Sequence, residues 1–196
     1  MSLFLLTGPV RSGKSKLAQR LAEANATQFV AAVAGRPDDP EMARRIERHK
    51  RDRGEGWTTL ELTPERLAGP GGPAAWLAEV PRDHVLVLDC LGTLVTALMD
   101  GLGGAGHGDL ADPEAESRLQ VAVDGFVEAI LARPGLAIVV SNEVGWGVVP
   151  AHPAGRLFRD VMGRANRSLA SRADVALLVV SGRVLSLTDH PTIEEF

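Results

Sequence analysis

Eight residues near the start of the chain, Gly8-Pro9-Val10-Arg11-Ser12-Gly13-Lys14-Ser15, have the types and spacing that hold a polyphosphate. They match G-x-x-x-x-G-K-[ST] and follow the apolar run Leu3 to Leu6, which is the strand–loop–helix setting the pattern needs. Gly8 and Gly13 let the backbone turn tightly, so that successive N–H groups converge on phosphate oxygens. A helix opening at Lys14 points its partial positive end at the same place. The Lys14 ammonium is expected to reach the outer phosphates, and the Ser15 hydroxyl to ligate the accompanying Mg2+. The chain reads as a binder of a nucleoside triphosphate.

Other reactive groups can be placed around that loop. Asp89 ends the apolar strand Val85 to Leu88, where phosphate-loop proteins carry a second acid that organises Mg2+. It suits that role, or that of acceptor for a substrate hydroxyl proton; a helix-capping aspartate is the structural alternative. In the charged stretch Glu41 to Arg53, residues Met42, Ile46 and His49 are spaced i, i+4, i+7 and so share one helix face. Arg45 and Arg53 stand one turn to either side of His49. On spacing alone His49 is a core-edge histidine, the commoner case, or a nucleophile flanked by guanidiniums that absorb phosphate charge. Glu61 follows a short candidate strand and could pair with the two N–H donors on the edge of guanine, or lie exposed. Asn142-Glu143-Val144-Gly145-Trp146-Gly147 reads as a binding loop with an exposed aromatic, or as a structural turn. His84, His107, His152 and His190 read as solvated surface.

The elements that must position these groups follow from period and punctuation. Lys16 to Ala22 has helical spacing, and Gln28 to Ala34 reads as a buried strand. Asp38 or Asp39 is a candidate cap, with Pro40 at the first helical position. Trp57 to Leu62 is a possible short strand, and Gly69 to Ala75 a surface loop. Helices are expected over Leu91 to Leu102, Pro113 to Ala132 and Arg156 to Arg172, with a flexible glycine loop over Gly103 to Gly108. Ala137 to Val140 is a further buried strand. Val175 to Val180 and Val184 to Leu187 form a terminal strand pair around the turn Ser181-Gly182-Arg183. Apolar strands alternating with helices imply an α/β fold of the phosphate-loop, RecA-like kind: a largely parallel sheet, helices on both faces and a C-terminal strand pair. Ligands of such sheets collect at the carboxyl ends of the strands. That edge should gather Gly8 to Ser15, Ala34-Gly35-Arg36, Asp89 and Ser141-Asn142-Glu143.

Composition narrows the function classes. The 196 residues read as one domain with a net charge of −4, 45% hydrophobic and 23% charged residues, so a general nucleic-acid binder is not expected. One cysteine, Cys90, rules out an internal disulfide and suits the reducing cytoplasm. No run approaches the roughly 18 apolar residues of a membrane helix, and the apolar start passes straight into the phosphate loop rather than ending a signal peptide. Asn25-Ala26-Thr27 and Asn166-Arg167-Ser168 match glycosylation acceptors by coincidence.

Taken together, the motifs resemble one family, the bifunctional adenosylcobinamide kinase / adenosylcobinamide-phosphate guanylyltransferases of cobalamin biosynthesis. The matching pieces span nearly the whole chain: Arg11 to Ser15; Glu41-Met42, Arg45-Ile46, His49, Arg53 and Trp57; Leu88-Asp89-Cys90; Ser141 to Pro150; Phe158-Arg159-Asp160, Gly163 and Asn166; and Val179 to Gly182. The resemblance implies two reactions. A nucleoside triphosphate phosphorylates the hydroxyl of the aminopropanol arm of adenosylcobinamide. GTP then transfers GMP to that phosphate, giving adenosylcobinamide-GDP and pyrophosphate. It further implies that His49 carries GMP covalently, that Lys14, Ser15 and Mg2+ hold the phosphates near Arg45 and Arg53, and that Lys50, Arg53 and Glu61 contact the nucleotide. A homotrimer is implied too. Pro9-Val10 stands where the family has Gly-Ala, and Gly92 and Ala97 where Thr and Asn are usual. A plain small-molecule kinase without a histidine adduct, or a GTP-dependent switch, would share the phosphate loop; the chain lacks the Asn-Lys-x-Asp guanine motif of such switches.

Overall fold

The computed structural model describes residues 2–35, 40–72, 74–103 and 113–195. Its frame is a sheet of seven strands in the order β3-β2-β4-β5-β1-β6-β7. These are β1 (Ser2–Thr7), β2 (Phe29–Ala34), β3 (Trp57–Leu62), β4 (Val85–Asp89), β5 (Leu136–Val140), β6 (Val175–Val180) and β7 (Arg183–Ser186). All neighbours pair in parallel except β6 with β7. Central strands are buried on both faces, which is why they read as unbroken apolar runs.

Alternation along each strand divides the core in two. Leu3 and Leu5, Val30 and Ala32, Leu86 and Leu88, and Ala137 and Val139 face one side. There α4 (Leu91–Gly103), α5 (Pro113–Ala132) and α6 (Pro153–Ala170) cover them. Phe4 and Leu6, Val85 and Val87, and Ile138 and Val140 face the other side, packed on α1 (Lys14–Asn25) through Ala18 and Ala22. Asp89 shares the parity of Val85 and Val87, so its carboxylate emerges on the α1 side. On that same face Trp57, Thr59 and Glu61 of β3 alternate outward, and α2 (Pro40–Asp52) reaches them through Lys50, which donates to Glu61. Pro40 opens α2 as its fixed φ favours. The cap candidates Asp38 and Asp39 lie outside the described residues.

Two short elements fall where the sequence reading assigned none. A one-turn helix, α3 (Pro64–Leu67), is capped by Thr63, whose hydroxyl accepts the Arg66 N–H. The expected surface loop from Gly69 ends at Ala75, where a 3-10 turn, Ala75–Glu79, buries Trp76 against Phe126 at 6.1 Å between ring centroids. Gly103 closes α4, and the rest of the expected glycine loop lies outside the described residues.

Candidate active site

The phosphate loop sits between β1 and α1, and its glycine positions follow from close packing. Gly8 has φ +142°, and a Cβ there would lie 2.2 Å from the Val179 carbonyl oxygen of β6. Gly13 is the N-cap of α1 at φ +107° and supplies no capping side chain, so the first-turn N–H groups are left for an anion. The left-handed positions of the loop are Gly8, Arg11 and Gly13. Pro9, with φ confined near −65°, and Val10 therefore fit where the family has Gly-Ala. The β6–β7 turn braces the loop from outside: Ser181 and Gly182 both have positive φ, as a two-residue hairpin turn requires, and the Gly182 N–H donates to the Ser12 carbonyl at 3.0 Å.

Lys14 is buried, and its ammonium donates to the Gly8 and Pro9 carbonyls at 2.9 and 2.7 Å. The Ser12 hydroxyl is buried with no hydrogen-bond partner among the described residues, an open donor inside the loop. Ser15 donates to Asp89 Oδ1 at 3.2 Å. The other Asp89 oxygen lies 3.7 Å from His49 Nδ1 on α2. The carboxylate thus joins the loop to the candidate nucleophile, although the three residues are far apart in sequence.

These groups open on one cleft of about 630 Å³, floored by the loop and lined by Arg44, Arg48, His49, Asp89, Thr93, Asn142 and Phe158 among others. Arg44 and Arg48 are cations that the sequence reading passed over; their i, i+4 spacing was the available signal. Among the sequence candidates, Arg36 and the side chain of Arg45 lie outside the described residues. A second cleft of about 390 Å³ runs from His49 and Asp89 to Arg53 and Trp57. The Arg53 guanidinium lies 5.3 Å from the Trp57 ring centroid and donates to the Thr59 hydroxyl at 3.3 Å. Burial pushes its pKa below the ordinary guanidinium value, opposed by the Asp89 charge. Glu61 and Gly35 line a separate hollow beside Ile46, and Ala34 sits buried at its strand end next to His49. Lys50 donates to Glu61 at 2.9 Å and to Glu47 at 3.0 Å, and these bonds raise its pKa.

The Asn142 loop is held by a network whose connections were not evident from sequence. Asn166 of α6 is 7% exposed; its amide donates to the Asn142 carbonyl and to Glu143 Oε1, both at 3.1 Å, and accepts from the Ser141 hydroxyl at 2.5 Å. Thr7 donates to Glu143 Oε1 at 2.6 Å, and the Glu143 N–H donates to the Gly8 carbonyl at 3.1 Å. Trp146 is 64% exposed, as the loop reading allowed. His152 and His190 are exposed, whereas His84 is half-buried with Nδ1 3.0 Å from Asp83; His107 lies outside the described residues.

Residues 4–187 match the family model described as cobinamide kinase / cobinamide phosphate guanyltransferase. The chain belongs to that family. The kinase and guanylyltransferase activities expected from the sequence are those of this cobinamide kinase / cobinamide phosphate guanyltransferase family. The chain is 36% identical over 184 residues to the bifunctional adenosylcobalamin biosynthesis protein CobU of Salmonella typhimurium, covering 92% of this chain and 96% of that protein. To CobU of Escherichia coli it is 35% identical, with the same coverage of each chain. To the bifunctional protein CobP of Pseudomonas aeruginosa it is 33% identical, covering 95% and 98%. Among solved structures, a prototypical ATPase of the type III secretion system of pathogenic bacteria superposes with a TM-score of 0.54 at 16% identity, covering 90% of this chain and 50% of that one. The type III secretion ATPase EscN of enteropathogenic E. coli gives 0.51 at 16% identity, covering 92% and 43%. The chain spans half or less of those ATPases, and the likeness is one of fold. Among the described residues no helix is long and apolar enough to cross a membrane.

Proposed function

We propose that this chain phosphorylates the aminopropanol hydroxyl of adenosylcobinamide and then passes GMP from GTP to that phosphate through a phosphoramidate on His49. The observation that carries the reading is one cleft holding the phosphate loop, Asp89 and His49 together, with His49 Nδ1 turned toward Asp89 at 3.7 Å. A carboxylate on the Nδ1 side favours the proton on that nitrogen, which leaves Nε2 as the nucleophile of this reading. In the guanylyl step, Nε2 attacks the α-phosphorus of GTP, the bond from that phosphorus to the bridging oxygen breaks, and pyrophosphate leaves in the phosphate loop. An oxygen of the acceptor phosphate then attacks the same phosphorus, the P–N bond breaks, and its electron pair returns to imidazole. In the kinase step the acceptor hydroxyl attacks the γ-phosphorus, nucleoside diphosphate leaves, and the hydroxyl proton passes to Asp89. Lys14, Arg44, Arg48 and Arg53 supply positive charge around these transfers.

The fold family implies Mg2+, and the donor set fits it. Ser15 Oγ and Asp89 Oδ1, 3.2 Å apart beside the phosphate loop, are hard oxygen donors of the kind that would hold the ion. When bound there, the ion neutralises charge on the phosphate oxygens. For the base, Glu61 is the guanine-reading candidate, with Gly35 in the same hollow and Lys50 fixing the carboxylate. Arg36, expected at the ligand edge of the sheet, and Arg45, expected beside His49, stay candidates for nucleotide contact. We also infer a single nucleotide-binding domain that works in the cytoplasm as a homotrimer. The buried thiol of Cys90 suits a reducing compartment, and Trp146, Val148 and Val149, at 64, 93 and 64% exposed, offer apolar surface for a protein contact.

The test is exchange of labelled pyrophosphate into GTP with no acceptor present. Wild type should catalyse it, and His49→Ala should lose it while still binding GTP. Absence of exchange in a wild-type enzyme that binds GTP would refute the covalent step and leave a plain kinase.

A further inference from the structure

We infer that Asn142 positions the attacking oxygen of the acceptor, hydroxyl in the kinase step and phosphate in the guanylyl step. This inference rests on the two-step reading above and adds where the second substrate sits. Both transfers are in-line displacements at phosphorus. In the guanylyl step the acceptor must attack from the side opposite His49 Nε2, which is the side pyrophosphate leaves, above the phosphate loop. In the kinase step it must attack from beyond the γ-phosphate, at the outer end of the same loop. Each requirement places the incoming oxygen in the cleft of about 630 Å³. The loop forms the floor of that cleft, and α2 forms one wall with Arg44, Arg48 and His49. The remaining wall is built from Thr93 and Thr96 of α4, Asn142 and Val144 after β5, and Phe158 of α6.

On that wall the hydroxyls are engaged. Thr93 donates to the Cys90 carbonyl at 2.8 Å, and Thr96 to the Gly92 carbonyl at 3.0 Å. The Asn142 amide is different. Its one hydrogen-bond contact among the described residues is a long one, 3.8 Å from Nδ2 to the Cys90 sulfur, which is a weak acceptor. The backbone behind it is held firmly: the Asn142 carbonyl accepts from Asn166, Ser141 is fully buried on the same amide, and Glu143 ties the loop to Gly8. A half-buried amide with unspent donors and acceptor, on a rigid mount facing the transferring phosphate, suits a ligand that is a neutral alcohol in one step and an anion in the next. The amide can accept from the hydroxyl through Oδ1 and donate to the phosphate through Nδ2. Gly92 of α4 borders this amide: a Cβ there would stand 3.4 Å from Asn142 Nδ2 and 3.6 Å from the Phe158 ring, ordinary contact distances.

The experiment measures KM for both acceptors and for GTP in wild type, Asn142→Ala and Asn142→Asp, with circular dichroism to confirm folding. Loss of the amide should raise KM for both acceptors about tenfold or more, the effect of one lost polar contact to substrate, and leave KM for GTP within about twofold. In Asn142→Asp the carboxylate repels an anion, so the phosphorylated acceptor should lose more than the unphosphorylated one. Equal losses for GTP and acceptor, or unchanged acceptor KM in a folded variant, would overturn the proposal. Failure of the His49 reading is distinct: wild type would then show no pyrophosphate exchange, and the kinase KM for the unphosphorylated acceptor would still test Asn142.

Discussion

Replacing Asn166 by alanine should damage this fold more than its distance from the reacting atoms suggests. The side chain is 7% exposed and makes three hydrogen bonds, to the Asn142 carbonyl, the Glu143 carboxylate and the Ser141 hydroxyl. Two neutral bonds at about 1 kcal/mol each and one to a carboxylate at about 1.5–3 kcal/mol sum to roughly 4 kcal/mol. For a chain of this size each kcal/mol lowers the melting temperature by about 2–4 °C, so Asn166→Ala should melt roughly 8–16 °C below wild type. Ser141→Ala removes one bond and should cost about 1 kcal/mol, or roughly 2–4 °C. Thermal melts followed by circular dichroism measure both. Because the Glu143 N–H also donates to the Gly8 carbonyl of the phosphate loop, the alanine variant should also bind GTP more weakly. A melt within about 3 °C of wild type for Asn166→Ala, or an equal loss from Ser141→Ala, would refute the network as the brace of the phosphate loop.

Other substitutions test single contacts. Gly8→Ala places a methyl on the Val179 carbonyl oxygen and should abolish GTP binding by moving the loop or β6; normal binding in a calorimetric titration would contradict that packing. Ser15→Ala removes one of the two oxygens offered to the metal and should raise the Mg2+ concentration for half-maximal kinase activity by about tenfold, an unchanged Mg2+ dependence arguing against the assignment. Glu61→Gln should relax discrimination between GTP and ATP in pyrophosphate exchange while leaving the melting temperature within about 2 °C, since the exposed pair with Lys50 contributes little to stability. Intact discrimination would remove Glu61 as the guanine reader.

What the sequence revealed was local, and what it concealed was contact between distant segments. The phosphate loop, the apolar strands and the bounds of α5 follow from composition and punctuation within short windows, and the structure has them as expected. Pro113 opens α5 and Pro40 opens α2 because proline suits the first helical position. The order of strands is another matter: β5 enters between β1 and β4, and no short-range pattern announces that. Asn166 shows the same limit. Its triplet Asn166-Arg167-Ser168 reads locally as a glycosylation match, yet its amide is buried against residues 23 to 25 positions away. Trp76 directly follows the Gly/Pro/Ala-rich loop, and no periodic pattern around it announces a single large apolar side chain that packs on Phe126 of α5. His49 lay between two readings on spacing, because a face shared with Ile46 does not say whether it meets core or cleft. Its neighbour across the gap, Asp89, is the information that spacing lacked.

The most direct test of the histidine-carrier account uses GTP labelled at the α-phosphate, with Mg2+ and no acceptor, followed by denaturing electrophoresis and peptide mapping. Label that survives denaturation, resists alkali, is lost in acid, maps to the peptide containing His49 and leaves as product when the phosphorylated acceptor is added is the predicted result. Label absent from a wild-type enzyme that binds GTP, or retained in His49→Ala, would contradict it.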